Sequence, residues 1–204
     1  ILQRLLIDRA HSHKNADELI SVAEKMIATP ATMRHDVFPT ALFSYRAYMG
    51  VAGRQKEAYD YLVGLRPEIS SYESLPDDLQ GVLMQWASIQ LMTGFLSPEE
   101  WRPNWEAFAE NLRQNGNWWF EDPLSQAEDS LLTGDLDRAV EKVLEELSKP
   151  LSTWPTRADE FEDPLWAPIS SNAKVAARLS ELKREKQLVR QQLIEMLQGP
   201  EWTQ

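Results

Sequence analysis

A chain of 204 residues with 43% hydrophobic and 26% charged content is long and apolar enough to bury a substantial core, as one domain or as a short repeat array, which excludes a disordered polypeptide. It contains no cysteine, so disulfides, thiolate metal sites and a cysteine nucleophile are excluded, while cytoplasm and periplasm both stay open. The net charge of −11 is unevenly placed: residues 95–170 hold 6 basic against 17 acidic side chains, residues 1–94 hold 9 against 11, and residues 171–204 hold 6 against 4. An acidic field repels phosphate backbones and anionic lipid and favours basic peptides, which argues against direct binding of nucleic acid.

From the N-terminus, ILQRLLID has neither a basic leader nor a small-residue cleavage site, and no apolar run approaches the roughly 18 residues of a membrane span. The chain begins at Ile1 inside a helical pattern without an initiator Met, so it is expected to be cut from a longer polypeptide. Asn15 can cap a helix to about Ala28, with Leu19, Val22, Ala23 and Met26 on one face, before Thr29-Pro30 interrupts it. A second helix from about Asp36 carries Leu42, Tyr45, Tyr48, Met49 and Ala52 at three- and four-residue spacing. Gly53 ends it, and Gln55–Leu65 forms a return helix through Ala58, Tyr61 and Leu62.

The next unit repeats this grammar. Pro76-Asp77-Asp78 opens a helix with Leu79, Val82, Leu83, Trp86, Ile89 and Leu91, Gly94 stops it, and Ser97-Pro98-Glu99-Glu100 caps the partner, striped by Trp101, Trp105, Phe108 and Leu112. Pro103 fits there only if the partner helix begins close to it. In the third unit, Ala127 and Ala139 mark a close helix approach and Gly134-Asp135 makes the turn. Leu131, Leu132, Leu136, Val140, Val143, Leu144 and Leu147 fill between.

Gly53, Gly94 and Gly134 lie 41 and 40 residues apart, a period in the range of solenoids built from stacked helical hairpins. The spacing of Ala127, Gly134, Ala139 and Val143 resembles the small-glycine-alanine-apolar pattern of the tetratricopeptide repeat. Gly53, Ala58 and Leu62 match its second half, with Arg46 where a small residue belongs, and Gly94 is followed at plus five by Glu99 in place of Ala. The resemblance spans about residues 35–150. It implies an all-α, right-handed, TPR-like solenoid of antiparallel hairpins over residues 1–150 (units about 35–67, 76–115 and 123–149) and a role in protein interaction. The segment EDPLWAPISSNAKVAARLSEL is similar to the Asp-Pro segment that ends repeat regions fused to bacterial winged-helix regulators, nucleotide cyclases and sulfatase-like proteins. This implies a C-terminal accessory region of a larger regulatory or signalling protein.

After an irregular acidic and aromatic segment, 151–170, Ser171 or Asn172 can cap a long helix ended by Gly199-Pro200 within 171–199. Val175, Leu179, Leu182, Lys186, Val189, Leu193 and Met196 alternate at four and three. Two readings stay open: a cap on the last repeat, and a coiled-coil dimer seam formed by Val175, Leu179, Leu182, Val189, Leu193 and Met196. Leu188, Ile194 and Leu197 widen the apolar face beyond a strict seam and favour packing into a groove.

Among groups that could carry chemistry, His11, His13 and His35 lack the spacing of a zinc motif. The acid pairs Asp77-Asp78, Glu99-Glu100 and Glu121-Asp122 fall at expected helix N-termini, where capping accounts for them. Glu128-Asp129 is a further pair, and the cluster Asp159, Glu160, Glu162 and Asp163 has no calcium-loop pattern. With no nucleophile elbow, phosphate loop or dinucleotide fingerprint, the expectation is a non-catalytic module with no metal and no cofactor.

Eight tryptophans are unusual. Trp86, Trp101 and Trp105 read as core, whereas Trp118, Trp119, Phe120, Trp154, Trp166 and Trp202 flank irregular segments, as loop anchors or as the lining of a groove. The expected binding surface is Tyr45, Tyr48, Trp118, Trp119 and Trp166, with Glu121 and Asp122 supplying charge for a basic or amphipathic protein segment or for neighbouring domains of the same chain. The alternatives are a homodimerisation device through helix 172–198 and a carbohydrate-active all-α domain.

Overall fold

The computed structural model describes residues 16–29, 37–116, 122–149, 161 and 163–197. Among these, all regular structure is helical. The chain divides into two compact units, one of residues 1–121 with 159–167, the other of residues 122–158 with 168–204.

In the first unit, α1 (Ala16–Ile27) pairs with α2 (Val37–Val51), and α2 and α3 (Gln55–Leu65) both pack on α4 (Leu79–Met92). α5 (Pro98–Gln114) lies against α4 as well. The expected stripe on α4 understates its burial. Every residue from Gly81 to Met92 is buried, while Leu79 at its start is exposed. A helix enclosed on all sides is a core helix and not a one-sided amphipathic one. It is enclosed because the chain between α3 and α4, including a short 3-10 helix over Pro67–Ser70, folds back over it.

The polar side chains of α4 hold that connection in place. Gln85 Nε2 donates to the carbonyls of Ser71 (2.7 Å) and Ser74 (3.1 Å). The Ser88 hydroxyl lies 3.0 Å from the Tyr72 phenol and donates to the Gln85 carbonyl at 2.7 Å. From α5, Asn111 Nδ2 donates to the Tyr72 carbonyl at 3.1 Å. These bonds give three loop carbonyls side-chain partners on α4 and α5.

Asp78 closes the same connection. It caps α4 by accepting the Gly81 N–H at 2.8 Å, and both its oxygens accept from Arg66 at 2.9 and 2.8 Å. The Arg66 guanidinium is the main cause holding the Asp78 carboxyl below the usual carboxylate range. A depressed folded value means that this contribution is present above the unfolded value, about 3.9, and is lost as pH falls through the folded one. Asp78→Ala is therefore expected to cost about 1 kcal/mol as a lost cap. It should also flatten the acid limb of a stability-against-pH curve measured by circular dichroism, and Asp78→Asn, which keeps an acceptor for the cap, should flatten that limb at a smaller loss.

The periodic glycines serve two different ends. Gly53 and Gly134 adopt φ of +67° and +93°, a left-handed turn that favours glycine after a helix. Gly94 instead permits close approach, since a Cβ there would lie 2.6–2.7 Å from the Gln55 side chain. Pro103 also departs from expectation. α5 begins at Pro98, where the Ser97 N–H donates to Glu100 Oε2 at 2.9 Å, and continues through Pro103. The carbonyl deprived of its partner by Pro103 belongs to the exposed Glu99, which water can reach.

In the second unit, α6 (Pro123–Thr133) packs closely on α7 (Leu136–Leu147). Ala127 and Ala139 are fully buried, as the spacing predicts, and Leu132, Val143 and Leu147 fill the interface. Leu136, expected to join them, is 44% exposed. The Asp135 side chain accepts the Arg138 N–H at 3.1 Å and starts α7. A single helical turn, α8 (Ala167–Ser170), bridges the boundary between the units in sequence and precedes α9 (Ala173–Leu197). Asn172 starts α9 by accepting the Lys174 N–H at 3.1 Å.

Candidate functional site

α9 has two different halves. Its inner half packs on α7, with Val175 and Leu182 buried and Leu179 half-buried. Arg178 secures that contact by donating from Nε to the Leu147 carbonyl at 3.0 Å, an end-of-helix oxygen that needs a partner. Beyond Leu182 the described side chains are all exposed, including Leu188 at 61% and Val189 at 48%. The inner and outer stretches of one helix therefore differ in burial. Val175 and Leu182 are committed within their own unit, whereas Val189 faces solvent. The side chains of Leu193 and Met196 lie outside the described residues.

Of the residues expected to form a binding surface, the structure describes Tyr45, Tyr48, Asp122 and Trp166. Tyr45 is fully buried, its ring 5.7 Å from that of Tyr61, its hydroxyl at the limit of a hydrogen bond (3.5 Å) from Glu24 Oε1. Burial, reinforced by Glu24, pushes its phenol far above the ordinary value. Trp166 is buried too, its ring 5.4 Å from that of Phe161. Both residues pack, so they leave the expected surface. Tyr48 is half-buried. Asp122 caps α6 by accepting the Leu124 N–H at 2.9 Å and the Ser125 N–H at 3.3 Å. Trp118, Trp119 and Glu121 lie outside the described residues, as do the three histidines and Asp159, Glu160 and Glu162.

The described tryptophans, Trp86, Trp101, Trp105 and Trp166, are all buried, so none offers an open ring face to a sugar. A shallow depression of about 390 Å³ lies between the chain at Ser70–Glu73 and Asn104 and Ala107 of α5, with Glu73 as its one carboxylate. No group of three or more His, Asp or Glu among the described residues is placed to hold a metal ion.

Sequence reasoning missed the ion pair between Arg46 of α2 and Asp163. The two side chains are about 95% buried, with Arg46 Nη2 at 3.2 Å from Asp163 Oδ2. Asp163 Oδ1 accepts the Leu165 N–H at 2.8 Å and starts a 3-10 turn over Pro164–Trp166. Gly50 admits this turn, because a Cβ there would already stand 3.2 Å from Pro164 Cδ. Arg46, which departs from the tetratricopeptide resemblance, thus has a buried partner in Asp163 of the Asp-Pro segment. Arg46 Nε and Nη1 have no hydrogen-bond partner among the described residues. The pair holds 163–167 on α2 and contributes structure, with no reacting group between its members.

These features define an all-helical protein with one helix that is half core and half surface. No protein-family model, curated protein or solved structure matches the chain. No helix among the described residues is long and apolar enough to cross a membrane.

Proposed function

We propose that this chain is a non-catalytic protein-interaction module of TPR-like helical hairpins, and that the outer half of α9 is its contact element. The observation that carries the reading is the adjacent exposed pair Leu188 and Val189 on a helix whose inner half is anchored. An anchored helix loses little conformational freedom when its free end is covered, so the apolar area buried there goes largely into affinity. Support for stacked hairpins comes from the second unit, where the Ala127, Gly134, Ala139 and Val143 pattern coincides with a close helix pair and a left-handed glycine turn.

A photo-reactive amino acid placed at Leu188 or Val189 of the chain in its native host tests this directly. Adducts to protein should form there in excess of those from Val51, which is equally exposed at 63% but stands alone at a helix end. Equal or absent adducts at the two places would remove α9 as a contact element.

A further inference from the structure

On the first unit, and independently of α9, we infer that α2 carries a socket for an Asp-Pro segment flanked by aromatic residues. The chain's own segment around Asp163 fills it in cis, and a partner protein presenting a segment of the same chemistry takes its place.

Arg46 and Gly50 are both buried and stand four residues apart on α2, so they share a helix face. One supplies charge and the other a hollow. A Cβ at Gly50 would stand 3.2 Å from Pro164 Cδ and 3.3 Å from Asp163 Oδ1, so a larger residue there would press on both members of the Asp-Pro pair. Phe43 adds a wall three residues before Arg46. Its ring centroid lies 5.8 Å from Arg46 Cζ, and the ring is held in turn by an edge contact with Trp86 at 5.7 Å.

The segment that fills the socket is shaped by its own residues. Asp163 Oδ1 accepts the Leu165 N–H at 2.8 Å, the Asp163 carbonyl accepts the Trp166 N–H at 2.9 Å, and the Trp166 ring lies 5.4 Å from that of Phe161. A short segment with internal bonds of this kind loses little conformational freedom on docking, as a preorganised peptide does. It is also inserted from elsewhere in the chain. Residues 159–167 belong to the first unit, while the stretches on either side, 122–158 and 168–204, belong to the second.

The fit in cis is incomplete. Because Oδ1 serves the turn, Asp163 gives Arg46 a single oxygen, Oδ2, at 3.2 Å from Nη2. Arg46 Nε and Nη1 are buried and have no hydrogen-bond partner among the described residues. A guanidinium is best satisfied by two carboxylate oxygens side by side, and buried donors without acceptors weaken the docked state against an open one that water reaches. A partner segment whose carboxylate turns both oxygens to Arg46 therefore competes with the cis segment. It needs that acid, a proline against Gly50 and aromatic flanks.

The test is fluorescence anisotropy of the labelled peptide DEFEDPLWAP, the sequence of residues 159–168, titrated with the whole chain. In the wild type the cis segment competes at an effective concentration on the order of millimolar, whereas in Asp163→Asn it has lost its charge. Asp163→Asn should therefore bind the peptide about tenfold or more tightly than the wild type. Adding Arg46→Met to that variant should weaken binding by about tenfold or more, and so should asparagine in place of the peptide's aspartate before proline.

Equal affinity for the single and the double variant overturns the inference, because the peptide then sits elsewhere. Equal affinity for wild type and Asp163→Asn also overturns it, because the cis segment then does not occupy the same site. Should Asp163→Asn lose its helical signal, the wild type decides: it should bind the peptide at about millimolar concentration, and no binding there overturns the inference. A wild type that sediments as a dimer, with Asp163→Asn monomeric, would give the socket to a second copy and overturn the partner.

Discussion

Asp163→Ala and Arg46→Met are each expected to destabilise the first unit by about 3–5 kcal/mol, because each leaves one buried charge without its partner. Both side chains are about 95% buried and meet at 3.2 Å, so water offers neither of them compensation. The two losses differ in kind. Asp163→Ala also removes the acceptor for the Leu165 N–H, whereas Arg46→Met leaves that cap in place and strands a carboxylate. The double variant Arg46→Met with Asp163→Asn removes both charges and keeps an oxygen for the cap. It should lie within about 1.5 kcal/mol of the wild type, since a buried ion pair replaced by neutral groups of similar volume is often close to neutral. Denaturant unfolding followed by circular dichroism gives all the values. A double variant as unstable as the sum of Arg46→Met and Asp163→Asn measured singly would show that the pair is not coupled.

The second large effect separates the halves of α9. Leu182→Ala should cost the second unit about 2–5 kcal/mol by opening a cavity against α7, whereas Val189→Asp should stay within about 0.5 kcal/mol, as surface changes do. The two residues occupy equivalent heptad positions seven apart, yet one is 4% exposed and the other 48%. Thermal unfolding of both variants checks the contrast. A Val189→Asp chain that loses helical signal at low concentration would mean that the outer half packs within its own chain and is not a free surface.

Most helix limits were legible because their punctuation is local. Asp78, Ser97, Asp122 and Asp135 precede helices that start where these residues predict, and Gly53 and Gly134 make the left-handed turns that end α2 and α6. Periodicity also located the Ala127–Ala139 approach. What stayed hidden depends on contacts remote in sequence. The burial of α4 on every side requires the 66–78 connection to fold over it, and no window of α4 alone reveals that. Arg46 and Asp163 stand 117 positions apart, and only Arg46, where the tetratricopeptide pattern has a small residue, is out of place locally. The sequence does not separate Tyr45 from a surface residue, because a tyrosine on an apolar helix face carries the same signal in a core as in a groove. The four-three alternation along α9 does not say where a neighbouring helix stops covering it. α7 covers the stretch to Leu182, and Leu188 and Val189 lie beyond it.

Hydrogen exchange along α9, followed by mass spectrometry at several protein concentrations, tests the central division most directly. The amides of 173–182 should be protected at every concentration, while those of 183–197 should exchange fast in dilute solution. Protection of 183–197 equal to that of 173–182 in the most dilute sample would contradict the account, since the outer half would then be part of the core.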